Sequence, residues 1–110
     1  MVETLTHEAF RKHLGAKFEV ELEPEKSIAL ELIEVSELKQ FGPQEGFSIV
    51  FLGPNEIFLG QGTRQMKHEE FGEFDIFIVP IAQNEAGYSY QAVFNRVRTG
   101  SEAAGQSRLT

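Results

Sequence analysis

Hydrophobic residues recur at every second position through most of the chain. In "KFEVELE", residues 17–23, Phe18, Val20 and Leu22 alternate with Glu19, Glu21 and Glu23. This is the pattern of a strand with one face in a core and one in water. Pro24 ends the run, and "PEKS" reads as a turn. In "SIALELIEVSEL", Ile28, Leu30 and Leu32 share a face, but the phase then slips, because Ile33 and Val35 lie on the other. A bulge near Ile33 accounts for the slip, and the two strands are close enough to form a hairpin. "FSIVFLGP" sets Phe47, Ile49 and Phe51 against Ser48, Val50 and Leu52. Apolar on both faces, it belongs in a central or covered position. "TRQMKHEEFGEFDIFIVPI" reads as a second hairpin, with strands at 63–68 and 73–81 around "EEFG". Gly72 supplies the positive φ of its turn. Pro80 is expected to stop the ladder or mark an edge. "YSYQAVFNRV" is the last strand, with Tyr88, Tyr90, Ala92 and Phe94 on one face.

The period changes only at the start. Thr6 is a plausible N-cap, and Leu5 and Phe10 stand where a hydrophobic staple would close. Glu8 falls in the first turn of this short helix, and Arg11, Lys12 and His13 in the last, as the helix dipole favours. Gly15 suits a left-handed stop. Ala9, Phe10 and Leu14 form one apolar stripe, and so short a helix has to dock on something. "KQFGPQEG" and "AQNEAG" read as a loop and a turn. "GPNEIFLGQG" is a second loop, whose Ile57, Phe58 and Leu59 are expected to cap an open end of the core. Residues 1–98 then make a single β-rich domain, and 99–110, almost free of apolar residues, a disordered tail. The fold class is mainly β. One short N-terminal helix and about six antiparallel strands form a small barrel or a two-sheet sandwich, the barrel preferred because several strands are apolar on parts of both faces.

Composition narrows function more than fold. A chain of 110 residues suffices for one core without metal or disulfide, and ten Phe residues provide buried area with no polar atom to satisfy. The absence of Cys removes thiolate nucleophiles, disulfide frameworks and Cys-based zinc sites. A net charge of −7 opposes binding to nucleic acid or an anionic membrane. The polar N-terminal stretch has no signal-peptide core, so a cytoplasmic location is expected.

Few residues suggest chemistry. His68, Glu69 and Glu70 are consecutive, so His68 and Glu70 share a strand face. The helical zinc motif is absent, since position 72 is Gly, and His7 and His13 stand six apart rather than four. No metal and no cofactor are expected. The ladder Glu19, Glu21, Glu23 could space carboxylates for glycoside chemistry, but alternation puts it on a wet face where no pKa is raised. Asp75, the only Asp, shares a strand face with Glu73, Phe77 and Val79; an inward charge on an edge strand or a buried hydrogen bond would explain it. No serine sits in a nucleophile elbow, and "GQG" at 60–62 opens into a strand, unlike a dinucleotide fingerprint.

Four stretches carry a resemblance: "LTHEAFRKHLGAKFEVEL", "FSIVFLGP", "LGQGTRQMKHEEFGEFDIFIVPI" and "YQAVFN". Together they resemble a domain-of-unknown-function family of small bacterial domains. Its most specific part is P-Q-G-T-Y-x-x-x-H-x-x-L-G-x-x-x-x-F-x-V-P, where this chain has Gly60 for the proline, Arg64 for the tyrosine and Phe71 for the leucine. The family supplies no activity or catalytic residues; the resemblance implies an accessory or interaction role beside phage-tail-like proteins.

The leading expectation is therefore a non-enzymatic interaction or structural module. Its partner would be another protein or a second copy, met through an edge strand or through Ile57, Phe58 and Leu59. A small-molecule-binding β-barrel is the first alternative. The second is a hydrolase or lyase in which His68, Glu69, Glu70 and Asp75 converge in a cleft.

Overall fold

The computed structural model describes residues 6–23 and 26–97. The turn expected at Pro24, the staple residue Leu5 and the tail expected over 99–110 lie outside them. Helix α1 spans His7–Lys12. The Thr6 hydroxyl accepts the Ala9 N–H at 3.1 Å, and Arg11 and Lys12 lie in the last turn. Six residues cannot hold a helix unaided; Ala9 and Phe10, both buried, hold this one. Leu14 does not join them. It lies beyond the cap at His13 and is 56% exposed.

The described residues form strands β1 (Lys17–Glu23), β2 (Lys26–Val35), β3 (Lys39–Phe41), β4 (Gln44–Gly53), β5 (Gly62–His68), β6 (Gly72–Asn84) and β7 (Gly87–Val97). Their order is β2-β1-β5-β6-β7-β4-β3, and β2 also pairs with β4. That pairing closes six strands into an antiparallel barrel, with β3 as an extra strand. The hairpin of β1 and β2 forms as the alternation predicts, and β4 is central, bonded to β2, β3 and β7. The register of β2 on β4 slips between Leu32 and Glu34, which is the bulge expected at Ile33.

One expectation is corrected, and the two alternatives for Pro80 are decided. The segment read as the loop "KQFGPQEG" contains β3, which turns through Gly42 and Pro43 and pairs with residues 44–46 of β4. It continues the edge that β2 occupies farther along. Ser36 links the two, its N–H donating to the Ser48 carbonyl at 2.8 Å and its Oγ accepting the Ser48 N–H at 2.9 Å. Pro80 does not stop its ladder to β7 but does mark an edge, because β5 pairs with β6 only as far as Ile78. β6 runs through it to Asn84, with Pro80 opposite Tyr90 and Ile81 skipped in the register. The missing N–H of proline is accommodated by a bulge. Only Glu85 and Ala86 remain as turn. Asn55 fastens that turn, donating through Nδ2 to the carbonyls of Asn84 and Glu85 at 3.1 Å.

Alternation sends Phe18, Val20, Leu30, Leu32, Ile49 and Phe51 into the barrel, all at 0% exposure, so side chains fill the interior. Phe10 from α1 closes one end, packing on Phe71 at 5.0 Å and Phe94 at 5.4 Å between ring centroids. Toward the opposite end Leu59 is buried and donates its N–H to the Tyr90 hydroxyl at 3.0 Å. No described helix is long and apolar enough to cross a membrane.

Candidate functional site

The barrel wall closes unevenly between β6 and β7. β6 pairs with β5 from Gly72 to Ile78, but with β7 only from Val79, opposite Gln91, to Asn84, opposite Gly87. Past Gln91, β7 continues to Val97 with β4 as its single partner. The two strands therefore diverge from Val79 and Gln91, and each keeps one edge unpaired. Among the described residues no turn, loop or side chain hydrogen-bonds to either free edge. Such edges present rows of N–H and C=O groups ready for another strand.

The seam between them holds a groove of about 370 Å³. Ile76 and Phe94, both buried, form its floor, and Val79 and Gln91 its narrow end. Phe77 and Val93 stand on its two sides, 50% and 49% exposed. Asp75 and Asn95 flank the wide end. Asp75 lies opposite Gln65 on β5 and meets no cation among the described residues. Glu73, two residues away on the same face, is 3.9 Å from Lys67 Nζ.

The residues singled out from the sequence do not assemble. Asp75 is exposed on the outer face, so neither an inward charge nor a buried hydrogen bond explains it. His68 lies on the opposite, inner face, half-buried, its ring tilted against that of Phe18 at 4.6 Å and edge-on to that of Phe71 at 5.3 Å. Its Nδ1 accepts the Glu70 N–H at 2.9 Å, while Glu69 and Glu70 are exposed. The cleft of His68, Glu70 and Asp75 that a hydrolase needs is thus not formed. His13, which sequence spacing did not connect to His68, brings its ring to 5.1 Å from it and its Nε2 to 3.7 Å from Glu70 Oε1. Burial, then the charge of His13, lowers the His68 pKa; Glu70 and Glu69 pull the other way. No three His, Asp or Glu side chains among the described residues are placed to share a metal ion. Phe18, His68 and Phe71 are mutual neighbours, so three spaced residues of the family-like pattern are one packing cluster.

Leu59 is buried and Ile57 packs against the core, because the loop caps the barrel; only Phe58, 56% exposed and 5.0 Å from Tyr88, faces outward. Phe77, Val93 and Asn95 were missed by sequence reasoning. The signal was available: Phe77 and Val93 are apolar residues on the wet phase of two strands adjacent in the chain. No curated protein and no solved structure matches the chain. A family model described as "Domain of unknown function (DUF6916)" matches residues 5–94.

Proposed function

The chain belongs to the DUF6916 family of domains of unknown function, and from that premise we propose that it is a non-enzymatic interaction module whose partner binds at the seam between β6 and β7. One observation carries this reading: two strand edges that are unpaired among the described residues open onto the same groove, with Phe77 and Val93 exposed beside them. Proteins ordinarily cover such edges or blunt them with charge, and apolar residues left beside free edges mark a place where another chain docks. The filled interior leaves the small-molecule alternative without support. A second copy is a poor partner, since each chain carries −7. The family resemblance suggests phage-tail-like proteins as the first place to look.

The test is site-specific photocross-linking in cells, with a benzophenone side chain at Phe77 or at Phe58. A captured protein is then purified and titrated against the wild type and the double variant Phe77→Ser, Val93→Ser. We expect cross-links from position 77 and not 58, and loss of binding in the double variant with its melting curve retained. Equal capture from position 58, or full binding by the double variant, overturns the proposal.

A further inference from the structure

We propose that the seam takes one extended segment of a partner protein as an inserted strand, with an apolar residue between Phe77 and Val93 and a Lys or Arg between Asp75 and Asn95. This rests on the seam being the binding surface and adds the chemistry of what enters it.

The register defines the positions. β6 and β7 pair at Val79 with Gln91 and at Pro80 with Tyr90. Continued past the split, that register sets Ile78 opposite Ala92, Phe77 opposite Val93, Ile76 opposite Phe94 and Asp75 opposite Asn95. Burial follows the same phase: Ile76, Ile78, Ala92 and Phe94 are buried, while Asp75, Phe77, Val93 and Asn95 are exposed. A strand laid between them alternates likewise. Its outward residue between Phe77 and Val93 meets two apolar side chains. The next residue points inward over Ile76 and Phe94 and is apolar too. The one after that points outward between a carboxylate and an amide, where a basic side chain supplies the cation that Asp75 lacks among the described residues. A strand residue occupies about 160 Å³ at the usual rise, strand spacing and sheet separation, so the groove of about 370 Å³ receives roughly two residues, with the others running along its rims.

Charge selects the occupant. The chain's −7 draws a basic segment and repels a second copy, whose own Asp75 would approach this one if its β6 were inserted. Because β6 and β7 are antiparallel, an inserted strand runs parallel to one of them and antiparallel to the other. A probe with the same residue order in both directions therefore tests either orientation.

The probe is the capped heptapeptide Thr-Lys-Val-Ile-Val-Lys-Thr, titrated into the full chain and followed by amide NMR shifts and amide hydrogen exchange. We expect shifts confined to residues 72–79 and 91–97, with slowed exchange there. Replacing both Lys by Glu weakens binding about fivefold. Replacing the central Ile by Pro weakens it about tenfold or more, through the lost N–H and the ring. The exposed substitution Asp75→Lys reverses the preference between the Lys and Glu peptides. Equal binding by the proline peptide, or a preference unchanged in Asp75→Lys, overturns the inserted strand while leaving the seam as the binding surface. Absence of any shift at millimolar peptide also overturns the inserted strand, and the cross-linking at Phe77 then decides the seam alone. Shifts centred elsewhere on the barrel overturn both.

Discussion

Replacing Phe10 by Ala tests how the helix is held. Phe10 is 0% exposed, and its ring lies within 6.3 Å of those of Phe18, Phe47, Phe71 and Phe94. Truncating a buried Phe costs about 3–5 kcal/mol, as lost transfer energy plus the cavity left behind. The upper half of that range is expected here. α1 has six residues and buries only Ala9 and Phe10, so the loss undocks the helix and exposes the rings it covered. A domain of this size holds about 5–15 kcal/mol in all. With a urea slope of about 1–2 kcal/mol per molar, the midpoint falls by about 2–5 M. Far-UV circular dichroism suits the measurement, since the chain has no Trp. Phe10→Leu, which keeps most of the volume, costs less than about 1.5 kcal/mol. If Phe10→Ala costs under about 1 kcal/mol, the helix does not close the barrel as described and the reasoning fails.

Other perturbations follow from the same geometry. The His68 pKa is lowered from 6.5, chiefly by burial and next by the charge of His13. The folded chain then binds this proton less readily than the unfolded one, so stability is full above 6.5 and is lost as pH falls toward the folded value. His68→Phe removes that part of the slope, and urea titrations showing the same slope in the variant would refute it. At Gly87, φ is 144° and a Cβ would strike the Gly53 carbonyl, so Gly87→Ala costs about 2–4 kcal/mol. Gly60→Ala, with open space around it, changes the thermal midpoint little by comparison. Phe58→Ser loses only the ring contact with Tyr88 and costs about 0.5–1.5 kcal/mol without altering the oligomeric state by light scattering; a much larger cost would place Phe58 in the core.

Elements were legible in the sequence where one physical rule acted alone. Alternation found all six expected strands, three of them to within a residue at both ends, and the phase slip at Ile33 marked a real bulge, because a two-residue period leaves few readings. Alternation could not decide Pro80, which marks an edge, since β5 pairs only as far as Ile78, while the ladder to β7 runs through it from Val79 to Ala82. It also missed β3, whose three exposed residues have no apolar face to show a period. The site was the least legible part. The parity of positions on one hairpin already puts His68 and Asp75 on opposite faces, which the alternative of a converging cleft did not use, and the approach of His13 depends on where the helix docks. The seam depends on where pairing ends, which no residue type reports. What the sequence did carry was its trace, apolar Phe77 and Val93 on a phase otherwise rich in polar residues.

The same contacts explain why the seam does not zip shut. At its narrow end Pro80 lacks an N–H and Ile81 is skipped, so the ladder is already bent where the strands part. At its wide end Phe10 packs on both Phe71, on the β5–β6 turn, and Phe94, on β7, at 5.0 and 5.4 Å. The continued register sets Phe94 opposite Ile76, five residues along the chain from Phe71, so the ring of Phe10 joins the turn to β7 diagonally across the end of the barrel. Docking of α1 is thereby coupled to the place where the strands stand apart, which ties the short helix at the start of the chain to the binding surface proposed here.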